Sequence, residues 1–230
     1  MGATSKAAGA VGKQLAPKMA HIAPELTSSF VRQALHRAIA GVGPLPPAAR
    51  AADAQLKEQK GDVDRGIHEV IENHVRYAGA QGFVTNLGGV VTMAVTIPAN
   101  ITGLALIQCR MVAGIAHLRG YDLDDPRVRN AILTCMLGED TVTALIRERK
   151  LPAPPMALAT APLHDPDLDV VISAEVAAEL VARVTGKKVA TTFARKVPIA
   201  GGFIGLGVDA FATWQVGRYA TRELLPRARR

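Results

Sequence analysis

The chain has 230 residues, of which 49% are hydrophobic and only 4% are aromatic, and its formal net charge is +7. This length fits one large domain or two small ones, with enough chain to bury a sizeable core. The scarcity of aromatic residues predicts an aliphatic core and argues against a protein that stacks the bases of a single-stranded nucleic acid. The basic excess suits an anionic lipid surface, and nucleic acid is not an expected partner.

Helical patterns begin after an Ala/Gly/Lys-rich segment at residues 1–22, which we expect to be mobile. Apolar residues at helical spacing predict a helix over 24–40, followed by a stiff Gly/Pro-rich loop. A polar helix is predicted over 47–59. Asp62 or Asp64 can cap the next helix, which we expect to reach about Ala80.

The central apolar segment, about 79–119, has no charged residue between Tyr77 and Cys109. Its interruptions are Gly88, Gly89 and Pro98. Proline lacks an amide hydrogen and kinks or restarts a helix. The sequence therefore predicts two helical pieces, about 82–96 and 98–119, that meet near Pro98.

The clearest boundary runs from Gly120 to Pro126, with sequence GYDLDDP. Gly120 can end one helix in a left-handed conformation, and Asp124 or Asp125 can cap the next, with Pro126 at its first position. That next helix is predicted to reach about Arg149 and to split near Gly138. The three acids need no cation to explain them, and no metal is predicted.

The second half contains a Pro-rich connection over 151–166, in which Pro152, Pro154, Pro155 and Pro162 disfavour helix. A helix follows through Val184, with Glu179 and Arg183 spaced for an ion pair. A second Gly-rich apolar segment covers 197–225, and a basic tail covers 226–230.

Small residues spaced along the two apolar segments allow close approach of helices, in water or in lipid. The candidate positions for close packing or membrane contact are Gly88, Gly89, Pro98, Gly103, Gly201, Gly202 and Gly205.

Asp209 is an acid within the second apolar segment and needs a partner if it is buried. We expect Arg110, or else Arg218, to form a buried ion pair with it.

Motifs of the common catalytic and nucleotide-binding classes are missing from the sequence. The two cysteines, Cys109 and Cys135, lie in apolar patterns, which predicts buried, reduced thiols in a cytoplasmic protein. No cofactor is predicted. An enzymatic interpretation would depend on four loosely placed polar residues, His68, Glu72, His117 and Asp122, and we therefore expect a non-enzymatic protein.

Over about residues 25–225, several short sequence motifs occur in an order that resembles the EcsC family of bacterial proteins. The residues that carry the resemblance are Gly82-Phe83, Gly88-Gly89, Pro98, the helix up to Arg110, Gly120-Tyr121-Asp122 and Asp125-Pro126. The resemblance implies a bacterial cytoplasmic protein at the inner face of the membrane. It implies no catalytic residues, because the family's function is unknown.

The expected fold is all-α, a multi-helix bundle in one domain over 23–225, with the two Gly-rich apolar segments (about 79–119 and 197–225) packed centrally. The expected function is peripheral association with, or shallow insertion into, the inner membrane, with lipid as a ligand. The alternative is a soluble bundle of accessory or scaffold role with an apolar ligand cavity. A second kind of partner, besides the membrane surface or lipid, is another protein. The sequence does not define an oligomeric state.

Overall fold

The structure is a computed structural model that describes residues 24–87, 93–184 and 207–227. The predicted N-terminal segment 1–22 lies outside these residues, as does the end of the basic tail. Five of the predicted close-packing positions also lie outside the described residues: Gly88, Gly89, Gly201, Gly202 and Gly205.

Across the described ranges, nine helices follow one another and no strand occurs, which confirms the predicted all-α fold. The helices are α1 (Pro24–Ala40), α2 (Ala48–Glu58), α3 (Val63–Leu87), α4 (Met93–Leu118), α5 (Pro126–Leu137), α6 (Glu139–Arg147), α7 (Pro155–Ala159), α8 (Pro166–Val184) and α9 (Val208–Glu223).

Helix α4 is the centre of the bundle. It packs against α1, α2, α3, α5, α8 and α9. Leu104, Met111 and Ile115 on this helix are fully buried, as their apolar spacing requires. Among the described helices, α4 contains one stretch, Ile101–Leu118, that is long and apolar enough to cross a membrane. Because 72% of that stretch is buried inside the protein, the helix also has the composition expected of a core helix.

The helix boundaries follow the predicted capping residues. Gly120 has a φ of 85° where α4 ends, and the amide of Tyr121 donates to the carbonyl oxygen of Ala116 at 3.0 Å. The side chain of Asp125 accepts a hydrogen bond from the amide of Arg127 at 2.8 Å, with Pro126 as the first helical residue of α5. Gly138, with a φ of 78°, separates α5 from α6.

The predicted break at Pro98 is wrong, because α4 runs from Met93 through this residue without interruption. Pro98 is only the sixth residue of α4, so its missing amide hydrogen removes one helical hydrogen bond near the start of the helix and does not divide it. Helix α3 is also longer than predicted and reaches Leu87 instead of about Ala80.

The Pro-rich connection contains a short helix, α7, that the prolines were expected to prevent. Pro155 is its first residue, a position that needs no amide hydrogen and favours the fixed φ of proline. Leu158 is buried, whereas Leu163 is 81% exposed. The connection therefore packs on the bundle through α7 and leaves one large apolar side chain in solvent.

Helix α9 packs along α3 and also contacts α4. Small residues mark the contact between α9 and α3, since Gly79 faces Ala210, and Gly217 faces Ile71. Small residues therefore pack closely at Gly79 and Gly217, which were not among the predicted positions, and five of the predicted positions lie outside the described residues.

Candidate ligand pocket

A pocket of about 330 Å³ lies between α2, α3, α4 and the loop that joins α1 to α2. Its lining is mostly apolar. The pocket is bounded by Leu45, Pro46, Ala48, Ala51, Ala52, Gln55, Val70, Asn73, His74, Tyr77, Leu106, Ile107, Arg110 and Gly114. Its volume is at the lower end of the range of about 300–1,000 Å³ that is usual for small-molecule sites.

The periodicity of two helices aims their side chains into this space. Helix α2 lines the pocket with residues 48, 51, 52 and 55, and α3 does so with residues 70, 73, 74 and 77. Both sets follow the spacing i, i+3, i+4, i+7 of a single helical face. Most of the α2 set is alanine, and α4 adds Gly114. Small side chains on adjoining helices therefore leave the volume open.

A tight loop borders the pocket, since Leu45 and Pro46 belong to its lining. The amide of Val42 donates to the carbonyl oxygen of Leu45 at 3.0 Å, and the amide of Leu45 donates to that of Val42 at the same distance. Gly41 begins this loop with a φ of 89°, and a Cβ there would lie 2.7 Å from the carbonyl oxygen of Leu45. Only glycine fits this position, so the local sequence holds Leu45 at the opening.

Two side chains that line the pocket are exposed apolar groups, since Leu45 is 43% exposed and Tyr77 is 59% exposed. Val42, which is 38% exposed, does not line the pocket but is hydrogen-bonded to Leu45 through its backbone. We call these three residues the apolar rim. Isolated exposed apolar residues are ordinary, but here two of the three line an apolar pocket.

The charged group of the pocket is the guanidinium of Arg110. This residue is only 8% exposed, and its Nη1 atom donates to the carbonyl oxygens of Pro46 at 2.7 Å and Ala38 at 3.5 Å. Burial lowers the pKa of Arg110 from its usual value, and nearby Tyr77 opposes this effect. An arginine nevertheless stays charged in proteins. None of the described residues that line the pocket is Asp or Glu. The formal positive charge of the pocket is therefore not balanced by a lining carboxylate.

His74, next to Arg110, is neutral at physiological pH. Burial is the largest cause that lowers its pKa to about 4, and the positive charge of Arg110 acts in the same direction. Its Nδ1 atom lies 2.7 Å from the carbonyl oxygen of Val70, which can only accept, so Nδ1 carries the proton. The rings of His74 and Tyr77 pack edge to face, with their centroids 5.9 Å apart. Both residues line the pocket together with Arg110.

The structure does not bring Asp209 together with either predicted partner. Arg110 is bound to backbone carbonyls at the pocket, and the guanidinium of Arg218 lies 5.7 Å from the ring centroid of Trp214. Burial raises the pKa of Asp209, and the cation that opposes this rise is Arg183 on α8. Of the other predicted positions, Gly103 is half-buried on α4, and Pro98 lies in the second turn of the same helix.

Arg183 is the centre of a buried polar network. It donates to Glu179 at 3.0 Å, which confirms the predicted pair, to the carbonyl oxygen of Met136 at 2.9 Å and to Gln108 at 3.3 Å. The fully buried Gln108 in turn donates to Thr213 on α9 at 3.2 Å. Four helices are thereby joined through polar side chains and one backbone carbonyl. Gln108, an uncharged polar residue within an apolar run, was the available sequence signal for this network.

The four polar residues behind an enzymatic interpretation lie apart, and three of them have local partners. Glu72 lies 3.7 Å from Arg76, and His117 lies 2.8 Å from Asp53. Asp122 accepts a hydrogen bond from the amide of Asp124, and His68 is exposed. No group of three or more potential metal ligands occurs within the described residues. These positions offer local structural contacts and no shared site.

Sequence reasoning missed the pocket itself. The polar residues that it named on α3 were His68 and Glu72, whereas the pocket uses the face of Asn73, His74 and Tyr77. The available signal was the pairing of that face with an alanine-rich face on α2.

The fold and the pocket define an all-helical protein with a small apolar site that contains one cation. Comparison with known families extends this description, because the profile of the EcsC protein family matches residues 2–228. The chain belongs to the EcsC protein family, as its sequence resemblance indicated. Searches of curated proteins and of solved structures gave no significant match.

Proposed function

We propose that this protein is a non-enzymatic, peripheral membrane protein of the bacterial inner membrane that takes a lipid chain into the pocket between α2, α3 and α4. The observation that carries the proposal is the apolar rim, of which Leu45 and Tyr77 line the apolar pocket and Val42 adjoins Leu45. A lipid chain could pass from a bilayer into such a pocket without crossing bulk water.

Shallow docking suits the described helices better than spanning. Most of the apolar stretch of α4 faces other helices, so exposing it to lipid would require the bundle to open. The rim needs no such change, since its side chains are already in solvent. The net charge of +7 supports attraction to anionic headgroups, at about 1 kcal/mol for each basic residue near the surface.

Vesicle flotation tests the docking surface. The protein should float with vesicles of anionic phospholipid and bind less to neutral vesicles or at high salt. Leu45→Ser with Tyr77→Ser should reduce vesicle binding at least about tenfold, because burial of one large apolar side chain contributes about 1.5–3 kcal/mol. Leu163→Ser is the matched control, since Leu163 is more exposed than either rim residue but lies outside the pocket.

Two outcomes would count against this proposal. Wild-type protein that stays with the unbound fraction at low salt would contradict membrane association. An equal loss of binding in the rim variant and in Leu163→Ser would show that the pocket mouth is not the docking face.

The alternative is a soluble bundle that carries an apolar ligand, and the burial of 72% of the apolar stretch of α4 favours it. In that case the protein would not float with vesicles of either composition but would still bind an amphiphile in the pocket. The two functions are therefore separated by flotation and amphiphile binding measured on the same preparation.

A further inference from the structure

One end of the pocket lies at Tyr77 and the buried cation Arg110, and the other lies at Val70 and Gly114. His74 lies between them, with its Nδ1 atom 2.7 Å from the carbonyl oxygen of Val70. The other polar residues of the described lining, Gln55 and Asn73, are hydrogen-bonded to each other at 3.3 Å. On α3 the positions 70 and 77 are two turns apart, which separates the two ends by about 10 Å. A Cβ placed on Gly114 would contact Val70 at 3.4 Å and Ala52 at 3.5 Å, so the end at Gly114 is closed by packed side chains.

This arrangement matches one class of ligand. Because the volume of about 330 Å³ is small and one end is closed, the pocket accommodates a single chain and not the two chains of a phospholipid. At the open end, Arg110 is a nearly buried cation held by neutral backbone carbonyls. A cation removed from water is stabilised most by an anion with hydrogen-bond acceptors, and the guanidinium fork fits carboxylate and phosphate groups.

We infer that the pocket binds a single-chain amphiphile with an anionic oxygen headgroup, with the chain toward Gly114 and the headgroup on Arg110. The inference rests on the proposed lipid-binding function and names the ligand class of that site. Carboxylate and phosphate headgroups share the required chemistry.

Calorimetric titration with three probes of one chain length tests the headgroup. Decanoate and decyl phosphate carry the anion, and decanol lacks it. At least one of the anions should bind about tenfold or more tightly than decanol, since a hydrogen bond to a charged group is stronger than a neutral one. The tighter anion identifies the headgroup.

Arg110→Gln should abolish the preference for the anions over decanol, measured as the ratio of their affinities for the same variant. Arg110→Lys retains the charge but loses the guanidinium fork, so it should retain only part of the preference. Because Arg110 also holds Ala38 and Pro46, a second variant leaves it in place: Leu106→Glu introduces a carboxylate four residues earlier on the same pocket wall. This internal anion should pair with Arg110 and remove the preference in the same way. Ala51→Phe, which fills the pocket, should weaken all three probes.

Several results would overturn the inference. Equal affinity for decanol and both anions would show that Arg110 does not recognise a headgroup, without affecting the proposed docking on membranes. Persistence of the anion preference in both Arg110→Gln and Leu106→Glu would place the headgroup elsewhere. If no probe binds while flotation still depends on the rim, the ligand class is wrong and the membrane proposal stands. If both measurements fail, both proposals are wrong.

Discussion

Ile71 occupies the space that a side chain at position 217 would need. A Cβ on Gly217 would lie 2.9 Å from Cγ1 and 3.1 Å from Cγ2 of Ile71, and 3.2 Å from the sulfur of Met111. The glycine thus lets α9 approach α3 and α4 closely, at a fully packed point of the core.

Gly217→Ala should therefore destabilise the protein. Overpacking of a core costs about 1–3 kcal/mol, and the higher helix propensity of alanine recovers up to about 1 kcal/mol of this. We expect a net loss of about 1–2 kcal/mol in the free energy of unfolding, measured by urea denaturation.

Gly79→Ala is the matched control for this substitution, on the other side of the same contact. A Cβ there would meet only the Cβ of Ala210, at an ordinary contact distance of 3.4 Å. The gain in helix propensity should leave stability unchanged or raise it by up to about 1 kcal/mol. If both variants lose stability equally, the contact between α9 and α3 is not as close as described.

Arg183 should be among the most sensitive charged residues in the protein. Its side chain is 13% exposed, and that of its partner Glu179 is 7% exposed. Removal of one member of a buried pair costs about 3–5 kcal/mol, so Arg183→Ala should greatly lower the urea midpoint. Arg183→Lys should be intermediate, because it keeps the charge but loses the fork that reaches Gln108 and the backbone of Met136.

The exposed pair of Arg76 and Glu72 provides the comparison for Arg183. The two residues have the same i, i+4 spacing as Glu179 and Arg183, but their side chains are 67% and 35% exposed. Arg76→Ala should change the free energy of unfolding by no more than about 0.5 kcal/mol. Similar effects of Arg183→Ala and Arg76→Ala would contradict a structural role for the buried network.

His74 should make stability depend on pH in the mildly acidic range. Its pKa in the folded protein is lowered to about 4 from an ordinary value of 6.5, so the unfolded chain binds the proton more readily. Stability is therefore complete above about pH 6.5 and falls as the pH drops toward 4, by at most about 1.4 kcal/mol per pH unit.

The measurement for His74 is urea unfolding at pH 7 and pH 5 for the wild type and two variants. His74→Asn keeps a donor for the carbonyl of Val70 and should show a smaller loss of stability between the two pH values. His68→Gln, an exposed position on the same helix, should behave like the wild type. A wild-type difference that survives in His74→Asn would assign the effect to other groups.

Most helix boundaries could be predicted because local residues determine them. Asp125 and Pro126 begin α5, and Gly120 and Gly138 adopt the positive φ values that end α4 and α5. Pro98 was misleading, since the effect of a proline depends on how near the helix start lies, and the apolar run gives no clear start.

The pocket and the partners of its charges could not be predicted in the same way. Arg110 is held by two backbone carbonyls, one near the end of α1 and one in the loop that follows it, and every residue has such a carbonyl, so the sequence carries no signal for the contact. The charge of Arg183 acts on the pKa of Asp209 because α8 and α9 both pack on α4, and that arrangement follows from tertiary packing. A search for complementary charges along the sequence therefore chose the wrong arginines.

The position of Trp214 gives the protein a built-in optical reporter. It is the only tryptophan in the chain, it is half-buried on α9, and it stacks on Phe211 with ring centroids 6.1 Å apart. Indole emission shifts to longer wavelength when water reaches the ring. Fluorescence therefore reports whether α9 is packed on the bundle, whereas circular dichroism reports the helix content of the whole protein. A difference between the two unfolding curves would reveal whether the last helix leaves the bundle first.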